Sequence, residues 1–171
     1  MAAYRSALVL AMILAFTATT VAAQDPPRPL GKFRDWTAYT YEDGNGKVCY
    51  IVSEPVEARG DYTRRGDTYV MISHWPGRGS WGEVMVVAGY EYQSGSTTTA
   101  TVGNSTFDME TEGDAAWVVE SDQSGLLAAM RRGRDMTIEG TSSRGTLTTD
   151  TYSLMGVTAG MEAMEEECPR R

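Results

Sequence analysis

FRDWTAYTYEDGNGKVCYIVSE, residues 33–54, reads as a β-hairpin. Phe33 to Tyr41 is rich in aromatic and β-branched residues, which suit a pleated, half-buried strand. The cluster Asp43-Gly44-Asn45-Gly46 follows, and its residues tolerate the left-handed backbone of a tight turn. Lys47 to Glu54 then restores the strand pattern and completes the pair.

Outward from this hairpin the same grammar repeats. A polar loop, Pro55 to Gly66, leads into two strands, Asp67 to Trp75 and Trp81 to Tyr92. In the second, Val84, Val86, Ala88 and Tyr90 share one face, with Met85 and Val87 on the other. Apolar residues on both faces predict a central strand covered on each side. Gln93 to Ser96 makes a turn. Shorter strands follow at Thr97 to Val102, Ser105 to Glu110 and Ala115 to Glu120, separated by turns at Gly103-Asn104 and Gly113-Asp114.

Ser121 to Arg132 is the first helical stretch. Ser121 is placed to cap it, Leu126, Leu127 and Met130 form its apolar stripe, and Gly133 ends it. Two more strands, Asp135 to Thr141 and Thr146 to Met155, precede a final short helix, Thr158 to Glu167, stopped before Pro169. The pattern predicts a mainly β fold: an antiparallel β-sandwich or barrel-like domain with one or two short helices.

The N-terminus has a different character. Arg5 precedes the apolar run Ala7 to Phe16, and Val21-Ala22-Ala23 supplies small residues at a cleavage site. This is the pattern of a secretory signal, residues 1–23, with Gln24 as the new first residue. The run falls short of the roughly 20 residues a spanning helix needs. Residues 24–32 read as an extended Pro-rich arm, and 33–171 as a single β-rich domain. No later stretch is long and apolar enough to span a membrane.

After cleavage, 14 basic side chains face 23 acidic ones, a net charge of −9. Such a surface repels nucleic acid. Two cysteines remain, Cys49 and Cys168, and in an exported chain an even number suggests a disulfide. Val157, Met161, Met164 and Cys168 lie on one stripe of the last helix, which points Cys168 inward toward a strand such as that carrying Cys49.

Motifs for chemistry are scarce. The single histidine, His74, has no nucleophile motif beside it and reads as a packed residue at a sheet rim. Gly77, Gly79 and Gly82 spell a dinucleotide fingerprint, but a strand follows where a helix is needed, so they read as a hairpin turn. Asp43 to Glu54 has the length of a calcium loop, yet Lys47 and Val48 stand where an acid and a glycine belong. Arg65-Gly66-Asp67 is the adhesion tripeptide; as the lead-in to a strand it reads as turn chemistry. Glu165-Glu166-Glu167 reads as a solvated face. No metal site or cofactor is expected.

The most distinctive segment is GTSSRGTLTTDTYSLMG, residues 140–156. Asp150 shares strand parity with Leu154, so it points inward and needs a partner. One reading is a structural polar network that joins Asp150 to Arg144. The other is a ligand site built from Arg144 and the neighbouring hydroxyls.

Taken together, FRDWTAYTY (33–41), KVCYIVSEP (47–55), YTRRGDTYVMISHWP (62–76), AGYEYQSGS (88–96), EGDAAW (112–117) and GTSSRGTLTTDTYSL (140–154) resemble the invasion-associated locus B family of alphaproteobacterial exported proteins. The resemblance implies a periplasmic, outer-surface-associated or secreted β-sandwich-like protein with no known catalytic residues. The family takes its name from host-cell entry. The function expected is therefore non-enzymatic, exerted through surface interactions with an unidentified protein or envelope partner, with host-cell association in view. The alternatives are a periplasmic domain that binds a small ligand, and an unrecognised hydrolase.

Overall fold

The computed structural model describes residues 26–170, so the expected signal segment 1–23 lies outside the described residues. Among the described residues are eleven strands and two α-helices, nine of the strands preceding the first helix. They are β1 (Arg28–Phe33), β2 (Trp36–Asp43), β3 (Gly46–Ser53), β4 (Glu57–Gly60), β5 (Tyr69–Trp75), β6 (Ser80–Val87), β7 (Thr98–Val102), β8 (Ser105–Glu112), β9 (Ala115–Val118), α1 (Glu120–Arg132), β10 (Asp135–Thr141), β11 (Leu147–Ser153) and α2 (Val157–Glu167). All pairings are antiparallel, in one sheet ordered β1-β2-β3-β5-β6-β9-β8-β7-β10-β11-β4. The sheet does not close on itself, so the arrangement is β-sandwich-like rather than a hydrogen-bonded barrel.

Strand alternation places one face of the sheet inside. Trp36, Ala38, Ile51, Val70, Ile72, Val84 and Val86 from one end meet Ala100, Met136, Ile138 and Tyr152 from the other in a single core. Leu126 and Met130 of α1 and Val157, Met161 and Met164 of α2 complete it. The two ends of the sheet are tied across this core. Trp36 donates its indole N–H to the Ser153 carbonyl at 2.9 Å, and the Asp35 amide donates to the Met155 carbonyl at 3.3 Å. Cys49 and Cys168 are bonded, which fixes the end of α2 to β3 across 119 residues.

Several expectations are revised. The Pro-rich arm contributes β1, an edge strand beside β2; Pro is tolerated there because an edge strand has amides the sheet does not need. The loop 55–66 contains β4, which pairs with β11. β6 lies centrally between β5 and β9, yet only its Val84 and Val86 face is buried; Met85 and Val87 are half-exposed. The cap of α1 is Val119 without a side-chain bond, and Ser121 lies within the first turn. Glu120 and Asp122 there favour the positive helix end instead. Gly133 does end α1, but in extended backbone. Its need is space: a Cβ would lie 2.4 Å from Val102 Cγ1.

Candidate functional site

The polar centre forms at one end of the sheet. The loop before β5 carries Arg65 inward, where its Nη1 and Nη2 donate to the two Asp150 carboxylate oxygens at 2.6 and 2.5 Å. Its Nε donates to the Ala88 carbonyl at 2.5 Å. The side chains are 7% and 2% exposed, so this is a buried, two-pronged ion pair. The guanidinium lies 5.5 Å from the Tyr62 ring centroid and 5.0 Å from that of Tyr90. Burial alone would lower the Arg65 pKa; the hydrogen bond and charge of Asp150 outweigh it and raise it. Burial first, and the Asp150 charge after it, pushes the Tyr152 hydroxyl far above its usual range.

Asp150 is thus buried and partnered, as its parity requires, but Arg144 is not its partner. Arg144 sits at the exposed tip of the β10–β11 hairpin, several strand rises of about 3.3 Å from Asp150. Arg65 was overlooked because its loop carries no apolar period to mark an inward side chain. One signal existed: an inward Asp150 demands a cation, and every arginine of the chain was a candidate. The pairing also settles the adhesion tripeptide, since its arginine is buried and occupied by Asp150.

Above the ion pair opens a cleft of about 580 Å³. Its walls are the Asp61–Gly66 loop, the Gly89–Glu91 segment and the hairpin tip from Ser142 to Thr148. The Ser143 amide donates to the Glu91 carbonyl at 2.7 Å, and the Gly66 amide to the Gly89 carbonyl at 2.9 Å, which holds the three walls together. Tyr90 and Thr148 join hydroxyls at 2.7 Å on its lining.

A second surface lies on the outer face of β2, β3 and β5. Alternation sends Tyr39, Tyr41, Tyr50, Tyr69, Met71 and Trp75 outward, where all are half-exposed. Tyr39 and Tyr50, paired across the strands, stack with centroids 5.3 Å apart. Tyr41 meets Tyr50 and Trp75 edge-on at 6.0 and 6.4 Å. Arg78 lies 4.4 Å over the Trp75 ring. Together these rings line a shallow groove of about 530 Å³ with no charged side chain in it.

His74 is inside, 4% exposed. A bulge opposite it leaves Gly82 as the extra residue of β6, at φ +77°, and the Gly82 amide donates to His74 Nδ1 at 3.0 Å. Burial lowers its pKa below the usual 6.5. No hydroxyl or thiol is hydrogen-bonded to the ring among the described residues. The same residues contain no group of three acidic, His or Cys side chains that could hold a metal, and no helix long and apolar enough to cross a membrane. Gly77 and Gly79 form the turn between β5 and β6, where the sequence places a glycine-rich turn, whereas Gly82 lies within β6. Glu167 accepts from Lys47 at 2.6 Å and Arg28 at 3.2 Å, and Glu165 from Arg131 at 2.8 Å.

The described residues form a disulfide-linked, open antiparallel sheet with two short helices, a β-sandwich-like domain that carries an aromatic face and a polar cleft. The particular family follows from direct comparison: the model of the Invasion associated locus B (IalB) protein family matches residues 36–165, from the start of β2 into α2, and the chain belongs to that family. No curated protein and no solved structure matches the chain.

Proposed function

We propose that this family member is an exported, non-enzymatic protein that acts by binding a partner protein at the cell envelope or outside it, host-cell association being the setting its family name suggests. The observation that carries the reading is the aromatic face of β2, β3 and β5, whose groove is lined by no charged side chain. Tyr and Trp offer large, rigid contact area with little entropy to lose, and they are the residues on which interfaces concentrate their energy. The buried His74, whose Nδ1 is taken by a backbone amide, supports the absence of catalysis. The disulfide fits an oxidising compartment.

The test is capture from intact cells and culture medium with immobilised mature protein, wild type against a Tyr50→Ala/Trp75→Ala variant. Both positions are half-exposed, so the fold should persist, which circular dichroism checks. A protein retained by the wild type and lost by the variant is the expected result. Equal recovery by both removes the aromatic face from the account. His74→Ala should still complement a deletion strain; a folded variant that fails to do so reopens the enzymatic reading.

A further inference from the structure

We propose that the cleft above Arg65 is a binding site for a sugar acid, a polyhydroxylated ring that carries a carboxylate. This inference is independent of the aromatic face, which lies on other strands. The cleft's volume, about 580 Å³, falls within the roughly 300–1,000 Å³ of small-molecule sites.

Its charges carry the argument. Arg64 and Arg144 both line the cleft, from opposite walls, and both are exposed. Neither takes part in an ion pair among the described residues. Two guanidiniums free of ion pairs thus line one cleft whose other walls carry hydroxyls. Guanidinium is planar and pairs with a carboxylate through two parallel hydrogen bonds. Arg65 contributes no charge to this count, because Asp150 neutralises it.

Asp61 and Glu91 also line the cleft. They argue against a bare anion, which they would repel, and for a ligand that carries donors. Sugar hydroxyls are such donors. Ser143 and Thr146 add groups that both donate and accept. Cations for one carboxylate and acceptors for several hydroxyls are the two halves of a sugar acid. The walls are preset: the hairpin tip is closed by the Thr146 amide donating to Ser142 Oγ at 3.1 Å, and is tied to Glu91 through its backbone.

The experiment titrates the full mature, disulfide-bonded protein with D-glucuronate, D-glucose and inorganic phosphate, followed by amide chemical shifts and calorimetry. Saturable glucuronate binding is expected, with shifts centred on residues 61–66, 89–91 and 142–148 and affinity falling as salt rises. Glucose and phosphate should each bind more weakly than glucuronate. Arg64→Ala and Arg144→Ala should each weaken glucuronate binding by about tenfold, the scale of one charge-assisted contact, without lowering Tm. Arg144→Lys should recover part of the loss. The Tyr50→Ala/Trp75→Ala variant should bind glucuronate as the wild type does. Glucose binding as tightly as glucuronate, phosphate displacing it at equal concentration, or arginine variants with unchanged affinity would each overturn the assignment, as would the absence of saturation.

Discussion

Replacing Asp150 by Ala removes the carboxylate bonded to the Arg65 guanidinium, while Nε stays bonded to the Ala88 carbonyl. The charge remains inside a site where the arginine side chain is only 7% exposed. Breaking a buried pair from one side costs about 3–5 kcal/mol, because the remaining ion has lost its water and its partner. A domain of this size loses about 2–4 °C of Tm per kcal/mol, so Tm should fall by about 6–20 °C. Removing both charges is a different perturbation. Arg65→Met with Asp150→Leu leaves no buried ion and should recover most of the loss. Arg144→Ala, at the exposed hairpin tip, should stay within about 0.5 kcal/mol of wild type. Calorimetry of the four disulfide-intact proteins at pH 7 provides the comparison. A Tm for Asp150→Ala within 2 °C of wild type (a margin of about 1 kcal/mol), or equal damage from Arg144→Ala, would refute the assignment of Arg65 as the partner.

Three further outcomes are expected. Cys49→Ala/Cys168→Ala should lower unfolding free energy by up to about 5 kcal/mol, the chain-entropy value for a loop of 119 residues, measured by urea unfolding against the oxidised protein. His74 is held neutral by burial, so its contribution to stability is present above pH 6.5 and is lost as pH falls through its lower native value; its imidazole resonances in the folded protein should titrate below 6.5, and a midpoint at or above that value contradicts the buried placement. Gly156→Ala should be far more damaging than Gly145→Ala: both have positive φ, but a Cβ at 156 would lie 1.9 Å from the Phe33 carbonyl oxygen whereas nothing lies within 4 Å at 145, where the cost should be about 1–2 kcal/mol. Equal Tm losses for the two would show that conformation rather than space sets the penalty.

What was legible in the chain was whatever is encoded locally. The β2–β3 hairpin declares itself through Gly44-Asn45-Gly46, and β10 begins and ends where its pattern says. The stripe of Val157, Met161, Met164 and Cys168 is buried as its spacing demands. β1 and β4 escaped notice because each owes its strand state to a neighbour's free edge. Pro29 and the all-exposed Glu57-Ala58-Arg59-Gly60 have little strand propensity of their own. Sheet order was hidden for the same reason, since β6 pairs with β9 and β7 with β10 through the shape of the whole. At the candidate site, parity showed that Asp150 was inside. It could not name Arg65, which lies 85 residues away and meets Asp150 only once the sheet has curled.

The bond between Cys49 and Cys168 imposes an order of events on a chain delivered N-terminus first. The hairpin of β2 and β3 can form as soon as it emerges, yet its cysteine waits for a partner almost at the other end. Arg65 likewise waits for Asp150, Trp36 for the Ser153 carbonyl, and β4 for β11. Contacts this distant in sequence are slow to form, because loop closure comes before the contacts that reward it. Until roughly the last two dozen residues arrive, the early strands stay unsealed, with a free thiol and an unpaired arginine. The finished domain therefore appears late and all at once. On the proposed export route, a chain threaded unfolded through a narrow channel is served by that delay, because nothing locked has formed that would have to be undone.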